Sequence, residues 1–434
     1  MIESVWKDDL KLNNEKELLC DITTDVLIIG GGICGILCAY FLNEKGIDYI
    51  LVEGERIATK TTLNTTAKIT SQHGLIYTDI LKKYGKESAL KYLKVNEEAI
   101  LKYKEICKNT DCDFEEKYSS VYTFNNIKKL EEELNTLNSL GFDAYFTKET
   151  ELPFKVKGAI NFKGQAQFNP AKFISQISKN LNIYENTYIK KISGNYAYTK
   201  NHKIKAKAII VATHFPFINT HGMYFLKLYQ ERSYVSAFKT STRLEGMYVD
   251  ENDLGLSFRS YKDLILIGGN NHRTGKENSK WDKINSFKDK YYPDLELKFM
   301  WANQDCISLD KIPYIGLYSN NTPDLYVATG FNKWGMTSSM VSAMILTDMI
   351  LGKKNEYQDV FSPQRKMYKP KLLVNGLEST INLISPTTKR CSHLGCALKW
   401  NKKEHTWDCP CHGSRFDKDG KVINNPAKKN IDID

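Results

Sequence analysis

The sequence lacks the features that mark secreted, membrane-spanning or nucleic-acid-binding proteins. No run of eighteen or more apolar residues occurs among its 434 residues, and its first residues lack the basic-then-apolar order of a secretory signal. We therefore expect a cytoplasmic protein without membrane insertion. Only eight of the 61 basic residues are arginine, and the lysines are scattered among acidic residues. The net charge of +10 then indicates a solvated surface suited to an acidic redox partner, and nucleic acid is not an expected partner.

Four of the ten cysteines lie close together near the end of the chain, between residues 391 and 411. In a reducing cytosol such residues argue for metal or redox chemistry before a disulfide framework. The other six occur at irregular positions. We expect most of them to be plain thiols, and Cys34 and Cys38 to be small packing residues.

A glycine-rich turn follows the first apolar segment. Residues 25–29 predict a short strand, and Gly30, Gly32 and Gly35 then form a G-x-G-x-x-G pattern that opens a predicted helix. Such glycines permit the tight turn, the approach of backbone amides to a pyrophosphate, and close packing of helix on strand. A second predicted strand ends at Glu53, where a carboxylate can bind a ribose hydroxyl. Strand, turn, helix, strand and acid together predict a dinucleotide site.

Two short cysteine and histidine motifs are the sharpest chemical signal in the chain. Cys391 and His393 form a C-x-H pair, fifteen residues intervene, and Cys409 and His412 form a C-x-x-H pair. Two thiolates and two imidazoles suit a structural zinc ion, which they bind tetrahedrally. They equally suit a Rieske 2Fe-2S centre, with two cysteines on one iron and two histidines on the other. The ligand count alone leaves both metals open.

Two further cysteines in the same loops favour the iron-sulfur alternative. A zinc site has no need of Cys396 and Cys411. With both boxes complete, the sequence resembles the Rieske iron-sulfur family, in particular its respiratory and photosynthetic members. The resemblance implies that the cluster ligands are Cys391, His393, Cys409 and His412. It also implies that a disulfide between Cys396 and Cys411 bridges the two loops.

The Rieske resemblance is incomplete in two respects. Most members have several strands before the first box, and only Leu377–Arg390 are available for them here, so we expect a base that is abbreviated or borrowed from the preceding domain. High-potential members usually have a tyrosine two residues beyond the serine of the second box. This chain keeps Ser414 but has Phe416 at the tyrosine position. We therefore expect a reduction potential in the lower part of the Rieske range of roughly −150 to +300 mV.

Three later segments extend the nucleotide-binding pattern. Residues 58–74 are rich in hydroxyl groups and poor in bulky apolar side chains, an apolar strand is predicted at 207–213, and another at 324–330 precedes a tight turn and a helix. With the glycine-rich turn, these segments resemble the flavin amine oxidases of the glycine oxidase, sarcosine oxidase and D-amino-acid oxidase type. The resemblance covers residues 24–352 and implies FAD as the cofactor.

The same resemblance implies further site residues. Those placed near FAD, besides the three glycines and Glu53, are Thr65, Thr66, Thr213, Gly330, Gly335, Met336 and Thr337. The candidate catalytic residues are Lys68, His73 and Arg259, the last because a guanidinium binds a substrate carboxylate bidentately. Simpler roles stay open for each: a helix cap for the hydroxyl-rich loop, a structural role for His73, and a surface ion pair for Arg259.

The predicted fold class is α/β, with an FAD-binding Rossmann-like domain interleaved with an antiparallel-sheet substrate domain, followed by a small all-β Rieske-type module. Helical periodicity or capping predicts helices at about 86–107, 126–140 and 169–181. The predicted divisions are a leader at 1–24, an oxidoreductase at 25–352, a linker at 353–376 and the Rieske module at 377–434. Within the oxidoreductase, the FAD-binding parts are 25–110, 166–225 and 304–352, and the substrate-domain parts are 111–165 and 226–303.

These features predict an FAD-dependent oxidoreductase that acts on a small molecule, an amine or amino-acid-like substrate. It would exchange electrons with an external acceptor or donor protein through the fused 2Fe-2S cluster, an arrangement that resembles a bacterial family of fused flavin and Rieske proteins. A built-in one-electron carrier favours a dehydrogenase over an oxygen-using oxidase, and the sequence allows either direction of electron flow. The alternative function is a redox-sensing or electron-transfer adaptor in which Cys396 and Cys411 cycle between thiol and disulfide.

Overall fold

A computed structural model describes residues 3–12, 16–252, 255–277, 280–366 and 369–433. Within these ranges the chain forms two large β-sheets, a small four-stranded sheet near its end, and nine α-helices. This arrangement confirms the predicted fold class.

The strands are β1 (Ile22–Ile29), β2 (Tyr49–Val52), β3 (Lys68–Ile69), β4 (Glu115–Thr123), β5 (Ala144–Thr147), β6 (Gly158–Gln167), β7 (Ile183–Tyr184), β8 (Lys191–Ser193), β9 (Tyr196–Tyr198), β10 (Lys203–Val211), β11 (Leu228–Lys239), β12 (Gly246–Asp250), β13 (Leu256–Tyr261), β14 (Leu264–Arg273), β15 (Glu296–Ser308), β16 (Tyr314–Leu317), β17 (Leu325–Thr329), β18 (Lys399–Asn401), β19 (Thr406–Asp408), β20 (Arg415–Phe416) and β21 (Val422–Asn424). The helices are α1 (Ile33–Glu44), α2 (Tyr77–Cys107), α3 (Ile127–Ser139), α4 (Pro170–Ile177), α5 (Tyr224–Lys227), α6 (Trp281–Tyr291), α7 (Gly335–Ile350), α8 (Gln358–Phe361) and α9 (Lys369–Ile384). Short 3-10 helices cover Lys7–Asp9 and Thr61–Asn64.

The first sheet is mostly parallel and has the order β16-β17-β10-β1-β2-β7, with the β8–β9 hairpin attached to β10. Its central strands are apolar and buried, as expected for a parallel sheet that is covered on both faces. Ile29 pairs with Val52 on one side and with Val211 on the other. The carboxyl ends of β1, β2 and β10 therefore meet at one edge, where open α/β sheets bind their ligands.

The second sheet has the order β15-β11-β14-β13-β12-β4-β6-β3, with β5 attached to β6. Its pairs are antiparallel except for β12 and β4, which run parallel. Most of its strands come from the two stretches predicted as the substrate domain. The short strand β3 joins this sheet by pairing with β6 and so connects the hydroxyl-rich loop to it.

Two helices cover the first sheet near its ligand-binding edge. α1 contacts α7, and α7 contacts α2. Most side chains of α1 and α7 are buried, because both helices are apolar around most of their circumference. No helix in the described part of the chain is long and apolar enough to cross a membrane.

The long helix α2 begins at Tyr77, upstream of the start predicted at Lys86. Gly85 has a φ of +85° and breaks the helical geometry, so a short helix before it and a longer helix after it meet at a kink. The apolar periodicity predicted only the longer helix.

Two other helices show how local capping sets their bounds. The Asn126 side chain accepts a hydrogen bond from the Lys129 amide at the start of α3, as a helix cap does. Asn169 caps α4 in the same way, with Pro170 in the first turn. However, α4 ends at Ile177 and not near residue 181, because the chain turns there to bring β7 against β2.

The segment before the first cysteine box is helical. α9 occupies Lys369–Ile384, so the predicted boundary between linker and module falls inside one helix. The Asn382 carbonyl accepts a hydrogen bond from the Ala397 amide, which fixes the end of α9 to the first box. The strands expected at the base of a Rieske module are thus replaced here by a helix, and β18–β21 form the small sheet beside it.

The leader is anchored by Trp6. Its side chain is fully buried and packs edge-on against Tyr261, with ring centroids 4.6 Å apart. The indole nitrogen donates to the Thr65 carbonyl at 2.8 Å. The leader therefore packs against the hydroxyl-rich loop, residues 58–74, and holds it in place.

Candidate active site and metal centre

The G-x-G-x-x-G turn lies at the ligand-binding edge of the first sheet. Gly30 has a φ of +113°, and a Cβ atom there would lie 2.6 Å from the Ala212 carbonyl oxygen. A Cβ atom on Gly35 would lie 1.9 Å from the Gly30 carbonyl oxygen. Side chains at either position would push the turn away from the neighbouring backbone. Gly32 is the N-cap of α1 and offers no side chain to the amides that follow. The Ile33 amide donates to the Thr62 hydroxyl at 3.1 Å, and the amides after it begin the helix N-terminus that favours an anion.

Glu53 is the acid at the end of β2. Its carboxylate accepts hydrogen bonds from the Gly31 amide at 2.7 Å and from the Glu55 amide at 3.0 Å. Burial raises the pKa of the Glu53 carboxyl above its ordinary value, and the two amide hydrogen bonds oppose that shift. The carboxylate therefore lies directly beside the glycine-rich turn, as a ribose-binding acid requires.

A cavity of about 930 Å³ extends from this turn to the face of the second sheet. The predicted cofactor residues that line it are Gly30, Gly32, Glu53, Thr65, Thr66, Thr213, Gly335 and Met336. Lys68 and His73 also line the cavity. Among the described lining residues, the predicted Gly35, Gly330, Thr337 and Arg259 do not occur. The glycine cradle, the uncapped start of α1 and the acid at the end of β2 fit FAD.

Lys68 is buried at the floor of the cavity. Its Nζ lies 3.3 Å from the Thr66 hydroxyl. Burial, with a smaller effect of the nearby Arg259 guanidinium, lowers the pKa of Lys68 to about 7. This lysine therefore changes its protonation state near neutral pH, and both forms are available to chemistry in the cavity.

His73 is held by two hydroxyl groups. Its Nδ1 lies 2.7 Å from the Tyr92 hydroxyl and its Nε2 lies 2.9 Å from Thr337 Oγ1. The ring stacks on Trp334 with centroids 5.0 Å apart. Burial lowers the pKa of His73 to about 3, so the imidazole is neutral. This geometry ties the hydroxyl-rich loop to the start of α7 and supports a positioning role for His73.

Arg259 is fully buried beneath the hydroxyl-rich loop. Its Nη1 donates to the carbonyls of Thr66 and Ala67 at 2.6 and 2.9 Å, and the guanidinium lies over the Trp6 ring. The side chain is neither a surface ion pair nor part of the described cavity wall. This placement supports a structural role, holding the loop, in place of the predicted contact with a substrate carboxylate.

The four predicted cluster ligands converge at the tips of two loops. The first loop follows α9, and the second connects β19 to β20. Cys391, Cys409 and His412 are almost completely buried, and the rings of His393 and His412 lie with centroids 5.0 Å apart. The Gly395 amide donates to the Cys391 carbonyl at 2.9 Å, and the Gly413 amide donates to the Cys409 carbonyl at 3.0 Å.

Both histidines of this site have a ring nitrogen that is available to bind a metal. Nδ1 of His393 and both ring nitrogens of His412 are buried without a hydrogen-bond partner among the described residues. Burial lowers the pKa of His393 to about 4 and that of His412 to about 3, so both rings are in the neutral form that binds metals. Buried nitrogens without partners are costly, and ligation would satisfy them. The donor set fits a Rieske 2Fe-2S cluster.

Cys396 and Cys411 form a disulfide between the two loops, with Cα atoms 6.6 Å apart. Both residues are buried. The Cys409 sulfur lies within 4.8 Å of both disulfide sulfurs. Because Cys396 and Cys411 are bonded to each other, Cys409 is the residue of this group with a thiolate to offer.

The cysteine and histidine module docks against the second sheet through buried polar contacts. Arg273, at the end of β14, donates to the carbonyls of Pro410 and Cys411 at 2.8 and 2.7 Å, and to Asn375 of α9 at 2.8 Å. A Cβ atom on Gly275 would lie 2.7 Å from the Pro410 nitrogen. The second cluster loop is therefore seated directly on the backbone of the flavin domain.

Strands β11 and β15 present one face to the cavity and the other to the module. On the module side, Gln230 Nε2 donates to the His412 carbonyl at 2.7 Å and Gln304 Nε2 donates to the Gly413 carbonyl at 2.7 Å. Arg232 pairs with Glu404 on the same side. The residues that alternate with these face the cavity, since neighbouring side chains on a strand point to opposite faces. Sequence reasoning missed this docking face, although polar residues at successive positions of β11 signal that both of its faces meet polar groups.

The histidine side of the module is covered by residues that follow β10. Phe215 lies with its ring centroid 6.3 Å from that of His393 and 6.2 Å from that of His412. Two residues before it, Thr213 lines the cavity, and its carbonyl accepts a hydrogen bond from Asn425 of the module at 2.6 Å. Residues 422–428 of the module themselves form part of the cavity wall. The cavity and the metal centre are thus separated by one short chain segment.

Comparisons with protein families place two domains on the chain. Residues 25–349 match the family described as FAD dependent oxidoreductase, and residues 364–433 match the Rieske [2Fe-2S] domain. The whole chain is 34% identical, over 501 aligned residues covering 100% of this chain and 98% of the relative, to the "Putative Rieske 2Fe-2S iron-sulfur protein YhfW" of Bacillus subtilis (strain 168). The Rieske match resolves the alternative between zinc and iron-sulfur.

Two solved structures have the same fold over the flavin part. Glycine oxidase from Geobacillus kaustophilus superposes with a TM-score of 0.69 at 16% identity, covering 80% of this chain and 100% of that chain. L-proline dehydrogenase from P. horikoshii superposes with a TM-score of 0.67 at 16% identity, covering 80% and 98%. At this identity the likeness shows the fold.

Proposed function

We propose a function from the premise that the chain belongs to the family of FAD dependent oxidoreductases and carries a Rieske [2Fe-2S] domain after its flavin domain. The proposed reaction is the oxidation of a small molecule, an amine or amino-acid-like substrate, in the cavity between the two large sheets. The electrons then pass through the cluster to an external protein. Two proteins of the same fold, a glycine oxidase and an L-proline dehydrogenase, are named for amino acids, which supports this substrate class.

The cavity supports assigned roles for its residues. The amides at the start of α1, exposed by the glycine turn, would bind the FAD pyrophosphate, and Glu53 would bind a ribose hydroxyl. Met336 and Thr337 begin the regular part of α7, whose amides would stabilise negative charge beside the cofactor. FAD, when bound, supplies the two-electron chemistry with the substrate. The side chains around it bind the substrate, orient it and exclude water.

The cluster ligands are assigned to Cys391 and Cys409 on one iron and to His393 and His412 on the other. The buried Cys396–Cys411 disulfide fixes the two ligand loops to each other. Burial of both sulfurs favours a permanent structural bond over a switch that is read by solvent reductants. The structure therefore favours the oxidoreductase over the redox-sensing adaptor.

The observation that carries the proposal is the segment Thr213–Phe215. Thr213 lines the cavity, and Phe215 packs against both cluster histidines. In the Rieske arrangement the histidine-bound iron lies on this side of the cluster. The segment therefore offers a short path of packed atoms between the two cofactors, and a dehydrogenase that uses it needs no oxygen as acceptor. The external partner accepts electrons in the forward direction and donates them in the reverse direction.

An anaerobic screen tests this proposal. The holoprotein is mixed with individual amines and amino acids while the visible absorption of the flavin and of the cluster is followed in one sample. A true substrate is expected to bleach both cofactors. In a Cys409→Ser variant that lacks the cluster, the same substrate is expected to bleach the flavin alone. A substrate that bleaches the wild-type flavin and leaves its cluster oxidised would overturn the proposal.

A further inference from the structure

The cavity face of β11 and β15 carries a compact group of polar side chains. Glu231 and Asp305 are paired across the two strands, and Ser233 and Asn303 form the next pair along. All four residues line the cavity, as does Lys333 from the turn before α7. Since Lys333 lies two residues before Gly335, this group faces the part of the cavity next to the proposed cofactor site.

Asp305 differs from its acidic neighbour in forming no ion pair with a described residue, although Lys333 and Arg232 lie near enough to lower its pKa. Glu231 forms an ion pair with Lys333, at 2.6 Å. The Asp305 side chain accepts a hydrogen bond from the Asn303 amide group at 3.0 Å and another from the Ser233 hydroxyl at 3.4 Å. It forms no ion pair with any lysine, arginine or histidine that the structure describes. The residue is nonetheless only 9% exposed.

A buried carboxylate without a cation is costly, because burial removes water that stabilises the charge. Such groups are frequent at functional sites, where a ligand can supply the missing charge, and Asp305 faces a cavity large enough to admit one. The neutral donors Asn303 and Ser233 orient the carboxylate without neutralising it. The site is therefore prepared for a positively charged group on a ligand.

The arginines offer no partner for a substrate carboxylate in the cavity, whereas Lys68 is a buried lysine of the cavity wall whose Nζ contacts the Thr66 hydroxyl. Of the eight arginines, all of which the structure describes, Arg56 lines the cavity, and it pairs with Glu185 at 3.1 Å. Arg259 lies behind the wall, bonded to backbone carbonyls. Lys333 is engaged by Glu231. Of the two acidic residues of β11 and β15 that line the cavity, Asp305 is therefore the one without an ion pair to a described residue.

We propose that Asp305 binds the positively charged nitrogen of the substrate, so that this oxidoreductase selects cationic amines. The inference rests on the proposed function, because it places the substrate in the same cavity. It adds the residue that selects the substrate and the charge that the substrate must carry.

Three small molecules that share a tert-butyl group test the charge preference: tert-butylammonium, pivalate and tert-butanol. None can be oxidised at a carbon bearing the polar group, because that carbon carries no hydrogen, so binding is measured without turnover. Each is titrated into the FAD-loaded holoprotein at pH 7.5 while the visible absorption of the flavin reports occupation of the cavity. We expect saturable binding of tert-butylammonium, at least tenfold tighter than that of pivalate or tert-butanol.

Asp305→Asn keeps the shape of the side chain and removes its charge. We expect this variant to retain FAD and cluster absorption and to bind tert-butylammonium at least tenfold more weakly. Asp111→Asn, at a carboxylate that is 84% exposed, is the matched control and is expected to bind as the wild type does. Equal affinity in wild type and Asp305→Asn, tighter binding of pivalate, or no flavin response to tert-butylammonium would each overturn the inference.

A second measurement needs no variant. Burial raises the pKa of Asp305 to about 6, with Lys333 and Arg232 opposing the shift and Glu231 adding to it. Binding of tert-butylammonium by the wild type is expected to weaken as the pH falls through about 6, because the carboxylate becomes neutral. An affinity that is constant from pH 7.5 to 5 contradicts the inference. These titrations involve neither turnover nor the cluster, so their failure leaves the proposed electron path standing, and failure of cluster reduction leaves the charge preference standing.

Discussion

At the scale of single residues, the chemistry of the cavity depends mainly on buried ionisable side chains. Lys68, Asp305 and Glu53 all line it, and burial shifts the pKa of each toward the neutral form. The consequences of these pKa shifts differ. The Glu53 carboxylate is held by hydrogen bonds from two amides, whereas Lys68 and Asp305 titrate near neutral pH. The same site thus contains one fixed carboxylate and two groups that respond to pH and to ligands.

Lys68 gives a prediction for stability against pH. In the unfolded chain Lys68 keeps its proton up to about pH 10.4, whereas the folded pKa is about 7. Between these values the unfolded state binds more protons, so the free energy of unfolding rises with pH, by an upper bound of roughly 5 kcal/mol. Lys68→Met is expected to flatten this rise in urea denaturation curves measured from pH 7 to 10. The same slope in variant and wild type would show that Lys68 does not titrate there.

Phe416 gives a prediction for the cluster. It is fully buried in β20 near the second cluster loop. If Phe416→Tyr adds one hydrogen bond that favours the reduced cluster by about 1 kcal/mol, the potential rises by roughly 40 mV for one electron. Ser414→Ala, which removes a hydroxyl from the same loop, is expected to lower the potential by a similar amount. Potentiometric titration of the cluster measures both changes, and a lowered potential in Phe416→Tyr would contradict the account.

At the scale of elements, the turn between β1 and α1 depends on backbone contacts that leave no room for a side chain. Gly35→Ala would bring a Cβ atom to 1.9 Å from the Gly30 carbonyl, so the helix must move away from the strand. We expect the variant to lose at least nine-tenths of its bound FAD when purified, as measured by flavin absorption. Gly376→Ala, in helix α9 with open space around the new Cβ atom, is the control and should keep its FAD. Full FAD content in Gly35→Ala would refute this reading of the turn.

Docking of the module onto β14 gives another prediction at this scale. Arg273→Ala removes two hydrogen bonds from a guanidinium to backbone carbonyls of the second cluster loop, which stabilise docking by about 2–4 kcal/mol together. The variant is expected to be cut faster by protease between the flavin domain and the module, and to transfer electrons between its cofactors more slowly. Arg243→Ala, which loses an exposed ion pair with Glu115, serves as the control. Identical cleavage of the two variants would argue against a docking role for Arg273.

Local patterns predicted much of the fold and of the site, and contacts between distant segments account for the rest. The glycine turn, Glu53 and the two cysteine boxes depend on short spacings, so their positions follow from neighbouring residues. Arg259 does not: its place under the loop depends on Trp6, more than two hundred residues away in the sequence. Gly85 separates the start of α2 from the longer period that predicts the helix, although that start has apolar residues at helical spacing, Tyr77, Ile80, Leu81 and Tyr84. Helix α9 replaces expected strands because the flavin domain supplies the surface on which the module packs.

At the scale of the whole molecule, the chain connects two cofactor sites through one wall. β11 and β15 carry the proposed substrate residues on one face and the docking residues of the module on the other. A structural change on one face can therefore reach the other face through these two strands. The histidine side of the module packs against Phe215 and is therefore partly shielded from solvent. In the proposed function, the external partner would therefore approach another side of the cluster, and the flavin would exchange electrons through this side.

The most direct test of the electron path is a light-pulse reduction of the flavin in the anaerobic holoprotein, followed by optical and electron spin resonance detection of the cluster. The account predicts that the cluster becomes reduced as the flavin is reoxidised, at a rate that does not change with protein concentration, because both cofactors lie in one molecule. A rate that rises in proportion to concentration, or a cluster that stays oxidised while the flavin stays reduced, would contradict it.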